Sequence, residues 1–168
     1  MPSIRVKRLT AVAAAGIVTA GVLYAVTRPS ERCAVVRSLP DARCTPGAVL
    51  PSIGAEQICV RGYARQARDV PASVRSRVYQ DYGIAQRAPG EYEVDHLISL
   101  ELGGSNDIKN LWPQPGSPPP GYHEKDWLED ALHAEVCSGQ ITLEEAQRAI
   151  SADWVSAYRA RRGAIPTP

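Results

Sequence analysis

The chain has 168 residues, with 19 Lys and Arg against 18 Asp and Glu, so its formal net charge is only +1. This length allows about one domain once a terminal segment is set aside. Near-neutrality excludes the strong overall charge that by itself indicates a nucleic-acid-binding protein, and the lack of a Gly-rich phosphate loop argues against an NTPase or any nucleotide cofactor.

The N-terminus carries an export or anchor signal. Three basic residues precede an uncharged run over 9–26, and Arg28 closes it. We predict a membrane anchor or signal segment over 1–28, and the length of the run favours an uncleaved anchor over a cleaved signal. The positive-inside rule places residues 29–168 outside the cytoplasm. The protein is therefore expected to be anchored in the inner membrane and to face the periplasm, or to be periplasmic after signal cleavage.

All the cysteines follow this run: Cys33, Cys44, Cys59 and Cys137. An even number of cysteines in an exported domain predicts two disulfides. Three pairings are possible, of which Cys33–Cys44 with Cys59–Cys137 is the simplest. Residues 29–60 are rich in proline, glycine and turn formers, which predicts a disulfide-held linker before a domain over 61–168.

The charge of the exported part is unevenly distributed. Residues 29–87 hold 9 basic and 5 acidic side chains, whereas residues 88–168 hold 6 and 13. A phosphate-binding surface would have to come from the arginine-rich first part. The candidates for such a surface are Arg61, Arg65, Arg68, Arg75, Arg77 and Arg87, of which Arg61, Arg65 and Arg87 are the predicted substrate-binding residues.

Periodicity and breakers predict short elements in chain order. They are a strand over 58–64, a helix over 68–82, strands over 92–100 and 108–112, and helices over 123–136 and from 142 to about 161. Prolines at 113, 115 and 118–120 predict a stiff, non-helical loop before the penultimate helix.

Chemically useful residues are concentrated after residue 90. Asp95 and His96 end an apolar run, Gly103-Gly104-Ser-Asn follows as a turn, and Asn110-Leu-Trp-Pro begins the next apolar segment. His96 is neutral near pH 7 and suits a general base. The amide oxygen of Asn110 is a hard ligand of the kind that Mg²⁺ or Mn²⁺ prefers.

This order of motifs, completed by His123, resembles the HNH or ββα-metal nuclease family. The resemblance implies an α+β fold: a core of two short antiparallel strands and a helix, with flanking helices. It also implies one divalent cation, Mg²⁺ or Mn²⁺, held by Asp95, Asn110 and His123. His96 would be the general base, and Lys125 a cation on the phosphate side.

Two features depart from the family pattern. Ser99 stands where proline is usual, and the interval between Asn110 and His123 is longer than usual. The expected function is hydrolysis of phosphodiester bonds in nucleic acid, with DNA favoured. The alternative is a non-catalytic extracytoplasmic binding or scaffold protein that keeps the fold. The sequence leaves the oligomeric state open.

Overall fold

A computed structural model describes residues 32–164, which form a mixed α+β fold. The helices and strands are α1 (Ala55–Ile58), α2 (Tyr63–Ala67), α3 (Ala72–Asp81), β1 (Tyr92–His96), β2 (Leu111–Pro115), α4 (Tyr122–Cys137) and α5 (Leu143–Ala164). The predicted anchor over 1–28 lies outside this range. Among the helices of the described residues, none is long and apolar enough to cross a membrane.

The two strands form an antiparallel hairpin, as the resemblance implies. Asp95 lies opposite Trp112, and His96 lies opposite Leu111. Because successive side chains of a strand point to opposite faces, Asp95 and His96 face different sides of the hairpin. Trp112 shares one apolar cluster with Leu128 and Leu132 of α4, so the Asp95 face is the one turned toward α4.

The first strand is shorter than predicted and the second begins later. β1 ends at His96, and the connection to β2 contains short 3₁₀ turns at Leu100–Leu102 and Ile108–Asn110. The apolar residues after His96 are buried in this connection and not in the strand. Apolar runs of this length mark burial without distinguishing a strand from a buried loop.

The predicted strand over 58–64 is wrong, because short helices α1 and α2 occupy this part of the chain. The side chain of Gln57 accepts a hydrogen bond from the backbone N–H of Gly54 at 2.6 Å and caps the start of α1. Gly62 then adopts a left-handed conformation, with φ of 84°, before α2 begins. The glycine allows the reversal that separates the two helices.

Residues 32–60 pack against the rest of the fold instead of leading into it. Residues 32–164 belong to one compact unit. Within it, Val49 bridges to Gly104, and the Thr45 hydroxyl donates to the carbonyl of Leu111 at 3.0 Å. The segment predicted as a linker therefore covers the loop between the two strands.

The four cysteines form the simplest of the possible pairings. Cys33 is bonded to Cys44, and Cys59 is bonded to Cys137. The second bond joins the end of α1 to the end of α4, which lie 78 residues apart in the chain. Two disulfides indicate an oxidising environment outside the cytoplasm.

The last helix starts and packs as predicted. Thr142 and Glu145 cap each other: Oγ1 of Thr142 accepts from the Glu145 N–H at 3.1 Å, and Glu145 accepts from the Thr142 N–H at 2.8 Å. Ala146, Ile150 and Trp154 are fully buried along one face. Asp153 leaves helical geometry, and its carboxylate accepts from the Ser156 N–H at 3.0 Å, which restarts the helix.

Candidate functional site at the hairpin–helix junction

A buried lysine connects the end of β1 to α4. The ammonium of Lys125 donates to Oδ2 of Asp95 at 2.7 Å and to the carbonyl oxygen of His96 at 2.7 Å. It also donates to a carboxylate oxygen of Glu129, one helical turn further along α4. An ammonium has three donors, so every one of them is used.

Burial and charge compete at this lysine. Its side chain is 0% exposed, and that of Asp95 is 11% exposed. Burial alone would lower the pKa of Lys125, but the carboxylates of Asp95 and Glu129 outweigh it and hold the pKa above its ordinary value. Burial also raises the pKa of Glu129, against the opposing effect of the Lys125 charge. The ammonium therefore stays charged at any physiological pH.

His96 is held on the other face of the hairpin by Asn106. Nε2 of His96 lies 3.0 Å from Oδ1 of Asn106. The amide nitrogen of Asn106 donates to the carbonyl of Ala67 at 2.8 Å, and the N–H of Asp69 donates to Oδ1 at 3.3 Å. These two contacts determine which way the amide faces, so Oδ1 must be the atom that meets the imidazole.

The orientation of Asn106 determines the tautomer of His96. Because Oδ1 can only accept, Nε2 of the neutral ring carries the proton, and Nδ1 has a free lone pair. Nδ1 is buried and has no hydrogen-bonding partner among the described residues. Burial lowers the pKa of His96 and outweighs the opposing effects of the Asn106 hydrogen bond and the Asp95 charge, while the charges of Arg68 and Lys125 act in the same direction as burial, so the ring is neutral at pH 7. A neutral imidazole with one oriented N–H and one open nitrogen can accept a proton.

Asn110 holds the loop between the strands and does not point at Asp95. Its amide oxygen accepts from the N–H of Ile98 at 2.9 Å, and its amide nitrogen donates to the carbonyls of Ile98 and Ser105, both at 2.9 Å. The side chain is 0% exposed. These contacts argue against the predicted role of Asn110 as a metal ligand.

His123 lies at the exposed start of α4, where its ring meets the edge of the Tyr122 ring with a centroid distance of 4.5 Å. Two carboxylates, Glu93 and Asp126, lie close enough to Asp95 for its charge to act on them. Burial first, then the charges of Asp95 and Asp126, raise the pKa of Glu93 to about 7. Burial and Asp95 also raise the pKa of Asp126. The Asp95 face is thus acidic, with Lys125 as its buried cation.

The predicted substrate-binding arginines are exposed, and they belong to different parts of the chain. Arg61 and Arg65 lie before and within α2. The Arg87 guanidinium stacks on the Tyr79 ring at 3.6 Å from its centroid. Arg68, another of the arginines that the sequence offers for a phosphate-binding surface, is exposed at the end of α2, and its charge acts on His96.

One group of possible metal ligands lies away from this junction. The ligand atoms of Cys59, His133 and Cys137 all lie within 4.8 Å of one another, and no other such trio of His, Cys, Asp or Glu occurs in residues 32–164. Two of the three are joined in a disulfide. A disulfide sulfur is not the thiolate that binds metals, so this group could hold an ion only after reduction.

The three predicted metal ligands differ in their exposure and contacts. Asp95 is bound by the Lys125 ammonium, both ends of the Asn110 amide are used in the loop, and His123 is exposed near Glu93 and Asp126, on which its charge acts. The residues present therefore do not fit the divalent cation that the resemblance implies. Asn106 and Glu129 were missed; only the spacing of Lys125 and Glu129 at i and i+4 on a predicted helix could have indicated a pair.

Comparisons with protein-family models, with curated proteins and with solved structures find no match to this chain. The resemblance to HNH nucleases therefore rests on the residues that carry it.

Proposed function

We propose that this protein hydrolyses phosphodiester bonds of nucleic acid, with DNA favoured over RNA, outside the cytoplasm. The proposal includes the N-terminal membrane anchor or cleaved signal and a position on the periplasmic side of the inner membrane. The observation that carries it is the state of His96: a buried, neutral imidazole whose Nε2 is held by Asn106 and whose Nδ1 has no hydrogen-bonding partner among the described residues.

In the proposed reaction His96 is the general base. A water oxygen bonds to phosphorus while its proton passes to Nδ1 of His96, and the bond between phosphorus and the leaving oxygen breaks. The leaving oxygen takes a proton from solvent, and Nδ1 later returns its own proton to solvent. Because Nδ1 is covered in the free protein, the covering side chains must move when substrate binds.

Arg68 is the proposed cation for the phosphate. Arg68 is exposed, and the residues on either side of it, Ala67 and Asp69, bond the Asn106 amide that meets the His96 ring, so its backbone lies near the base. A guanidinium binds phosphate oxygens through paired hydrogen bonds. Arg61 and Arg65, also near α2, would extend this surface along a nucleic-acid backbone, whereas Arg87 lies against Tyr79.

The resemblance implies Mg²⁺ or Mn²⁺ as activator, and such a cation would neutralise charge on the transferred phosphate. No step is assigned to it here, because the predicted ligands are used by other contacts.

The experiment is plasmid nicking by the full-length, oxidised chain, in Mg²⁺, Mn²⁺ or EDTA. We expect cutting that His96→Ala lowers by about 10²- to 10⁴-fold, the usual contribution of a general base. His133→Ala is the matched control, since His133 lies far along α4 and bonds only to the Ile58 carbonyl and Cys137. It should cut at the wild-type rate. No cutting by a folded, oxidised chain in any of these buffers would refute the proposal.

A second candidate is a non-catalytic extracytoplasmic binding or scaffold protein with the same fold. The observation that favours it is that Asp95, Asn110 and His123 are not brought to one exposed cleft. Under this alternative, His96→Ala changes stability only, and neither wild type nor variant cuts nucleic acid.

A further inference from the structure

The Lys125 ammonium is surrounded by oxygen atoms from both halves of the junction. One oxygen is the Asp95 carboxylate of β1, one is the His96 carbonyl of the same strand, and one is the Glu129 carboxylate of α4. Oxygen-only surroundings with two carboxylates and a carbonyl are the donor set that hard divalent cations choose. Here the cation among these oxygen atoms is the side-chain ammonium of Lys125.

The charges at this position also suit a cation of higher charge. Two carboxylates, those of Asp95 and Glu129, contact the Lys125 ammonium, and their side chains are only 11% and 14% exposed. A single ammonium can offset the charge of only one carboxylate, whereas a divalent cation can offset two. The ammonium is part of the Lys125 side chain, so this cation does not have to bind from solution.

We propose that Lys125 is a tethered cation that occupies the position of a divalent metal ion at the hairpin–helix junction. Asp95 is then a positioning residue and not an open metal ligand. Lys125 donates hydrogen bonds to the His96 carbonyl and to the Asp95 carboxylate. These bonds fix the end of β1 from which the imidazole projects. This inference rests on the proposed function for its catalytic meaning, but cation binding tests it without any activity.

The test is to remove the ammonium and offer a metal. Lys125→Ala deletes the amine and leaves space among the three oxygens. We expect one Mn²⁺ to bind this variant, seen by electron paramagnetic resonance, and to raise its Tm by roughly 5 °C at saturating Mn²⁺. The double variant Lys125→Ala/Asp95→Asn should lose both effects, because it lacks one carboxylate of the set.

Wild type and Lys109→Ala are the controls. Lys109 is the other lysine in residues 32–164, and it is exposed on the loop. Neither protein should bind Mn²⁺ in a way that Asp95→Asn abolishes. Wild-type binding that Asp95→Asn abolishes would overturn the inference, and so would a folded Lys125→Ala that takes up no Mn²⁺. If Lys125→Ala does not fold with or without Mn²⁺, the wild-type titration decides alone.

The nicking assay separates this inference from the proposed function. Cutting that depends on His96 and persists in EDTA supports the tethered cation. Cutting that depends on His96 and stops in EDTA overturns it and leaves the proposed hydrolysis standing. Absence of cutting refutes the proposed hydrolysis, and the Mn²⁺ titrations then decide the cation question.

Discussion

At the scale of single residues, the chemistry of the junction depends on which partner each side chain meets. Asp95 and His96 are neighbours in sequence, yet the strand sends one toward α4 and the other toward Asn106. The two adjacent side chains therefore have different partners and different surroundings. A neutral His96 imidazole was predictable from the ordinary pKa of histidine. That Asp95 would be bound by Lys125 was not, because the two lie 30 residues apart.

Glu93 provides a pH test of the acidic face. Its pKa is about 7 in the folded chain against an ordinary 4.5, because of burial and the charges of Asp95 and Asp126, with Lys125 and His123 opposing. The folded state then holds the proton longer than the unfolded state, so this group lowers stability as pH rises from about 4.5 to about 7. Glu93→Gln should gain on the order of 1 kcal/mol over wild type at pH 8, after allowance for solvent screening.

The measurement is the difference in unfolding free energy between Glu93→Gln and wild type, at pH 5 and at pH 8. Glu144→Gln, at an exposed position of α5, serves as the control and should show no such trend. An equal difference at both pH values would contradict the raised pKa.

At the scale of elements, the connection between the two strands is built around Asn110. Gly103 ends a 3₁₀ turn in the left-handed conformation, with φ of 73°. A Cβ on Gly104 would lie 1.8 Å from the carbonyl oxygen of Ile98, so only glycine fits there. The Gly-Gly signal thus predicted the turn correctly. It did not show that the Asn110 side chain would bond within this loop, because an asparagine at this position of the sequence is equally compatible with a buried loop contact and with a metal ligand.

Asn110→Ala tests the loop role. The change leaves the Ile98 N–H and two carbonyls without partners in a buried place, which should cost about 3 kcal/mol in unfolding free energy. Urea unfolding measures it. Ser99→Ala is a matched control in the same connection, because the buried Ser99 hydroxyl has no partner to lose, and it should be nearly neutral. Equal effects of the two changes would argue against this role of Asn110.

At the scale of the whole described molecule, residues 32–60 and the two disulfides tie distant parts of the chain together. The segment before α1 lies across the strand connection: the Gly47 N–H donates to the Lys109 carbonyl and the Leu50 N–H to the Gly103 carbonyl, at 3.1 and 2.9 Å. Composition predicted a linker here, because proline, glycine and turn formers mark irregular backbone. Irregular backbone can still be closely packed when its polar groups find partners elsewhere in the fold.

The two disulfides should differ in what they contribute. Cys59–Cys137 spans 78 residues and Cys33–Cys44 spans 11. The loop-closure relation gives a loss of about 4.5 kcal/mol when the long one is replaced by serines and about 3 kcal/mol for the short one. Chemical unfolding of the two double-serine variants compares them. A larger loss for Cys33–Cys44 would mean that folded-state contacts outweigh chain entropy.

The sequence by itself determined the local features: the pairing of the cysteines into two disulfides, the helical pattern of α4 and α5, the Gly-Gly turn and the hairpin around Asp95 and His96. These follow from spacing and residue type within a few residues of each other. Only the tertiary structure decided which groups meet. It placed the Lys125 ammonium on Asp95, turned Asn110 into the loop and set Asn106 against His96. Such pairings depend on how elements pack, which spacing along the chain does not encode.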